Sequence, residues 1–99
     1  MPRKLRRSSG NVFRDLGFPA EEAENLRIRS ELMARLSRVI QDEGLTQGEA
    51  AQLLGVTQPR VSALVRGKID LFSIDTLVKM LSRVGLRVTV TVRARKRVA

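Results

Sequence analysis

The chain has 99 residues and a net charge of +9, from 19 Lys and Arg against 10 Asp and Glu. A chain of this size buries roughly two-thirds of its unfolded surface, enough for one domain with one modest core. It has no cysteine and no histidine, which excludes a disulfide framework, a thiolate nucleophile, a Cys-based metal site, and the commonest general base and metal ligand.

The charge is unevenly placed. Residues 1–14 carry Arg3, Lys4, Arg6, Arg7 and Arg14 with no acid, and residues 87–99 carry Arg87, Arg93, Arg95, Lys96 and Arg97 with no acid. Between them, residues 15–86 hold nine basic and ten acidic side chains. Two basic ends on a near-neutral body point to a polyanionic partner, nucleic acid or an anionic membrane. No apolar run approaches the roughly 18 residues that span a bilayer. No apolar stretch follows the basic N-terminus as it would in a secretory signal. The expectation is a cytoplasmic protein with no membrane partner.

Residues 1–11 show no hydrophobic periodicity and read as a flexible basic arm. Val12 to Pro19 contains two of the three Phe residues, Phe13 and Phe18. It reads as a piece that docks on the core, either a short helical turn or an extended strap closed by Gly17. Phe13, Leu16 and Phe18 fit a strap on the chain's own core better than a partner site. A helix of about 24 residues is expected to begin near Pro19, which suits a first helical turn. Glu21, Glu22 and Glu24 then complement the helix dipole. Ile28, Leu32, Leu36, Val39 and Ile40 recur at spacings of three and four on one face, and Gly44 is the natural stop.

Thr46-Gln47-Gly48-Glu49 is a capping box that opens a second helix through Ala50, Ala51, Leu53 and Leu54, ended by Gly55. Thr57 caps a third helix, Gln58 to Arg66, ended by Gly67, and Pro59 is tolerated in its first turn. Lys68 to Phe72 reads as a loop. Ser73 caps a fourth helix carrying Leu77, Met80, Leu81 and Val84, ended by Gly85. Finally Leu86, Val88, Val90 and Val92 alternate with Arg87, Thr89, Thr91 and Arg93, the period of a strand with one apolar face. An isolated strand is not stable in water. Its expected partner is the Val12-Phe13 segment or, by preference, the same strand of a second copy. Residues 94–99 form a basic tail.

The functional signal lies in Gln47 to Arg66, QGEAAQLLGVTQPRVSALVR. Ala51 must be small where two helices cross closely. Gly55 supplies the left-handed turn. Val61 and Leu64 anchor the following helix in the core. The spacing of Gln47, Ala51, Gly55 and Val61 resembles the helix-turn-helix of the phage repressor/Cro superfamily, also called the xenobiotic-response-element family. The resemblance implies a mainly α, lambda-repressor-like bundle of about four to five helices. Residues 12–85 are then the domain, 46–66 the motif and 86–93 a C-terminal strand.

The resemblance also implies that the third helix enters the major groove of double-stranded DNA with its N-terminal residues on base edges. That turns Thr57, Gln58, Arg60, Ser62 and Ala63 toward the bases. A Gln amide such as that of Gln58 can bond bidentately to adenine N6 and N7, and Ala63 can touch a thymine methyl. Arg60 suits either guanine or a phosphate. Pro59 departs from family members that carry a polar reader there, which removes one direct contact. Gln47 matches the family position that contacts phosphate and braces the first reading Gln, and Arg66 and Lys68 suit phosphates.

The arm, the Asn11-Val12-Phe13 segment, the motif and the valine-rich strand together resemble small single-domain members, many of them antitoxins of the HigA type encoded beside a ribosome-dependent ribonuclease toxin. That likeness implies a homodimer with Val88, Val90 and Val92 at the seam. It also implies a palindromic operator read by two helices about 34 Å apart, repression of the chain's own promoter, and a toxin held outside the reading helix. For Arg3, Lys4, Arg6 and Arg7 three roles stand open: wrapping DNA, binding the toxin, or solubilising the chain. Two other readings of the whole also stand, a stand-alone regulator of prophage type and a toxin-binding module whose DNA binding is incidental. Catalysis finds no support. Ser62, Ser73, Lys68, Asp70 and Asp75 form no nucleophile or phosphate motif, and Ser73 and Asp75 are explained as a cap and its dipole partner. No metal or cofactor is expected.

Overall fold

A computed structural model of the chain describes residues 10–94. The arm residues Arg3, Lys4, Arg6 and Arg7 and the Arg95-Lys96-Arg97 run lie outside the described residues. Five α-helices follow in order: α1 Val12–Asp15, α2 Ala20–Asp42, α3 Gln47–Leu54, α4 Gln58–Val65 and α5 Ile74–Arg83. A short 3-10 turn, Ile69–Leu71, joins α4 to α5.

Short polar side chains set most of the helix starts, because the first N–H groups of a helix have no partner within it. Asn11 Oδ1 accepts from the amides of Phe13 at 2.9 Å and Arg14 at 3.3 Å, and the Asn11 amide donates to the Ala23 carbonyl at 3.1 Å. One side chain therefore both starts α1 and ties it to α2. Of the two forms open to Val12–Pro19, the chain takes the helical one, and Gly17 closes it at φ +100°. Phe13 and Phe18 meet edge to face, 6.2 Å between ring centroids. Ser73 caps α5 by accepting from the Thr76 amide at 3.1 Å. The long helix α2 departs slightly from expectation: Pro19 sits just outside it as the N-cap, with Glu21 and Glu22 in the first turn.

The core forms where α2 meets α4 and α5. Met33, Leu36 and Ile40 of α2 pack with Ala50, Ala51 and Leu54 of α3, Val61 and Leu64 of α4, and Leu77, Met80 and Leu81 of α5. Of the α2 stripe read from the sequence, Leu36 and Ile40 are buried, while Ile28, Leu32 and Val39 are half-buried at its margin. Ala23 and Leu26 take the buried face at the N-terminal end. The outer face carries an Arg27 guanidinium between Glu24 and Glu31, at 2.6 and 2.8 Å, exposed pairs of the kind worth little to stability.

Phe72 corrects the reading of 68–72 as a plain loop. It is 1% exposed and is the largest fully buried side chain. It stands immediately before the Ser73 cap, with Leu77 four residues further on, both in the same core. That is the spacing of a hydrophobic staple, in which the residue before the cap packs on the fourth helical residue.

The C-terminal strand is the second correction. Among the described residues no strand forms, and residues 86–94 carry no regular secondary structure. A strand needs a neighbour for its backbone hydrogen bonds. The intrachain partner considered, Val12-Phe13, is committed to α1. Leu86 and Val88 still pack against the core, whereas Val90 and Val92 are 78% and 91% exposed.

Candidate nucleic-acid interface

The geometry of α3 and α4 follows from four local features. Thr46 and Glu49 close a reciprocal capping box: the Glu49 amide donates to Thr46 Oγ1 at 3.0 Å and the Thr46 amide to Glu49 Oε1 at 2.9 Å. The box engages the Glu49 carboxylate at the start of α3. Gly55 then turns the chain at φ +71°, a left-handed conformation costly for any residue with a Cβ. Thr57 caps α4 by accepting from the Arg60 amide at 3.4 Å, and Pro59 falls in the first turn as expected. Finally Val61 and Leu64, 0% and 1% exposed, anchor one face of α4. The burial of two such side chains stabilises that docking by about 1.5–3 kcal/mol each.

The opposite face is turned to solvent. Thr57, Gln58, Pro59 and Arg66 are exposed, and Ser62 and Ala63 are half-buried. Gln47 at the start of α3 is exposed, as is Lys68 after α4. No acidic residue occurs from Ala50 to Ile69, while Arg60, Arg66 and Lys68 fall within that span. The result is a face with hydrogen-bonding amides and hydroxyls at one end and cations along it, which suits the base edges and phosphates of a duplex.

Arg60 is placed differently from the other proposed readers. Its Nη1 donates to the Leu71 carbonyl at 3.0 Å, and its Cζ lies 4.7 Å from the centroid of the Phe72 ring, within cation–π range. Arg29 of α2 approaches the same turn from the other side. Its Nη1 donates to the carbonyls of Ile69 at 3.1 Å and Phe72 at 3.4 Å, and its Nε to Asn25 Oδ1 at 2.7 Å. Two guanidinium groups thus hold the turn that follows α4.

Arg29, Phe72 and Arg83 were not singled out from sequence. Arg83 of α5 donates to the Leu53 carbonyl at 3.3 Å and covers the Gly55 turn. The staple spacing could have found Phe72, but nothing local marks the bonds of Arg29 to the Ile69 and Phe72 carbonyls or of Arg83 to the Leu53 carbonyl, which span 30 or more residues. Val88 lies half-buried on the core, separate from the exposed pair Val90 and Val92. Among the described residues no cluster of acidic side chains could hold a metal ion, and no helix is long and apolar enough to cross a membrane.

Comparison with known proteins agrees with this geometry. A family model described as a helix-turn-helix domain matches residues 12–93. A curated protein of Mycobacterium tuberculosis named "Putative antitoxin HigA2" is 33% identical over 84 residues, covering 84% of this chain and 83% of that one. A solved structure named "Putative XRE Family Transcriptional Regulator" superposes with a TM-score of 0.71 at 35% identity, covering 79% of this chain and 90% of that one.

Proposed function

The chain belongs to the helix-turn-helix DNA-binding transcription regulators of the xenobiotic-response-element type, and from that premise we propose that it is the antitoxin of a toxin–antitoxin pair that represses its own operon. The family and fold are those of a DNA-binding regulator and not of an enzyme. The observation that carries the DNA reading is Gln58. It is exposed at the N-terminal end of a helix whose other face is locked into the core by Val61 and Leu64, so its amide is presented from a rigid base.

In this reading Thr57, Gln58, Ser62 and Ala63 face base edges, and Gln47, Arg66 and Lys68 hold phosphates on either side. Arg60, docked on the turn, offers the outer edge of its guanidinium to a phosphate instead of reaching a base. Arg3, Lys4, Arg6 and Arg7 add phosphate contacts. Two copies pair through Val88, Val90 and Val92, and each copy supplies the other's ladder partner. The dimer covers a palindromic operator in the cytoplasm and represses by occluding the polymerase. The antitoxin role draws its support from the relative named as an antitoxin and from its coverage of most of both chains. The partner in that role is a small ribonuclease toxin.

Two measurements test this. Gln58→Ala should weaken binding to a duplex enriched from a randomised library by the wild-type chain, and leave binding to a scrambled duplex unchanged. Equal loss on both removes Gln58 from the readers. Co-expression with the product of the adjacent gene should give a stable complex that relieves growth arrest. A chain that binds DNA but neither binds nor neutralises that product is a stand-alone regulator. One that neutralises it without preferring any DNA sequence is an interaction module.

A further inference from the structure

Gly48 lies at the second position of α3, and its backbone has no need of glycine: it is the one glycine of the seven whose φ is not positive. Glycine in a helix is unfavourable relative to alanine, because it gives up more backbone freedom on folding. What occupies the space above it is the side chain of Gln58. A Cβ built on Gly48 would stand 2.9 Å from Gln58 Nε2 and 4.0 Å from Gln58 Cδ, with Thr46 Oγ1 at 3.9 Å. The first of these is a separation that real Cβ atoms essentially never show. The carboxamide nitrogen of Gln58 therefore lies close to where a side chain on residue 48 would begin, across the junction of the two helices.

We propose that Gly48 is a positioning residue for sequence reading: its missing side chain is the seat that holds the Gln58 amide in place before DNA arrives. The proposal rests on Gln58 being a base reader and adds what aims it. A glutamine has three rotatable side-chain bonds, and restricting them on binding opposes affinity. An amide held against the first turn of α3 before binding has less of that freedom left to lose. A methyl group at residue 48 leaves the backbone as it is and pushes aside only the far end of a flexible side chain. The fold is kept while the aim is lost.

The experiment uses the full chain and the two duplexes named above, the library-enriched one and its scrambled counterpart. Gly48→Ala should keep or raise the thermal midpoint, weaken binding to the enriched duplex about tenfold, the scale of one good bidentate base contact, and leave scrambled binding unchanged. In the Gln58→Ala background the same alanine should have no further effect. Three results overturn the proposal. Gly48→Ala binding the enriched duplex as well as wild type while Gln58→Ala does not would show that Gln58 reads without this seat. A loss that persists in the Gln58→Ala background would show that the new methyl acts by another route. A Gln58→Ala that binds like wild type would remove the reader itself, and the seat with it. As a second measurement, independent of any variant's folding, the free wild-type chain should show a nuclear Overhauser contact between the Gln58 side-chain amide protons and the Gly48 Hα protons. Its absence overturns the proposal.

Discussion

The guanidinium of Arg60 lies over the ring of Phe72 with Cζ 4.7 Å from the centroid, while its Nη1 donates to the carbonyl of Leu71. A side chain of α4 proposed to face DNA is thus part of the fold. The pairing predicts a stability effect separable from DNA binding. Phe72→Ala should cost about 3–5 kcal/mol, since it empties a core site and removes the face on which Arg60 lies. Arg60→Lys keeps the charge but loses the planar fork, so it should cost far less, about 1 kcal/mol. Urea denaturation measures both, and a Phe72→Ala change below 1 kcal/mol would mean the ring is not a core element.

The turn between α3 and α4 should be equally sensitive. Gly55 has φ +71°, and a Cβ there would lie 2.6 Å from Arg83 Nε. Gly55→Ala should destabilise by at least about 1–2 kcal/mol from the backbone alone. In an Arg83→Ala background the part due to crowding should disappear and only the backbone part remain. A double-mutant cycle by thermal or chemical unfolding separates the two.

Binding should respond to salt in proportion to the phosphates engaged. Each neutralised phosphate contributes about 0.9 to the slope of log affinity against log salt. Lys68→Ala should lower that slope by about 0.9 and weaken enriched and scrambled duplexes alike. Deleting residues 1–9, which carry Arg3, Lys4, Arg6 and Arg7, should flatten it further. An unchanged slope after the deletion would place the arm off the DNA.

Val90 is 78% exposed and Val92 91% exposed in a segment of alternating Val and Thr. If two copies pair there, Val90→Asp should shift the chain to monomer in sedimentation velocity and weaken operator binding, and its thermal midpoint should lose the dependence on protein concentration that a dimer gives. A dimer that survives the charge would put the interface elsewhere.

The legible and the illegible parts of this chain divide along physical lines. The caps Thr46, Thr57 and Ser73 and the stop at Gly55 act within a few residues, so their chemistry is visible in a short window. Gln47, Ala51, Gly55 and Val61 belong to a motif whose spacing is itself the geometry, and the structure leaves Gln58 exposed at the head of α4. The C-terminal segment forms no strand among the described residues: alternation reports a face and not a partner. Val88 to Val92 has the period of a strand, yet among the described residues no neighbouring strand supplies its hydrogen bonds. The bonds of Arg29 and Arg83 are invisible for the opposite reason: they join residues 30 or more apart in the chain and follow no local pattern. The Gly48–Gln58 contact lies inside the motif, but it depends on how two helices cross, which spacing alone does not show.

The turn after α4 is gripped by arginines from two different helices, Arg29 from α2 and Arg60 from α4, on the carbonyls of Ile69, Leu71 and Phe72. Hydrogen bonds to fixed oxygens are directional. The path of the chain from α4 into α5 is therefore pinned by polar catches as well as by the packed core, and α2, α4 and the turn are joined at one knot that neither arginine could leave without freeing a carbonyl.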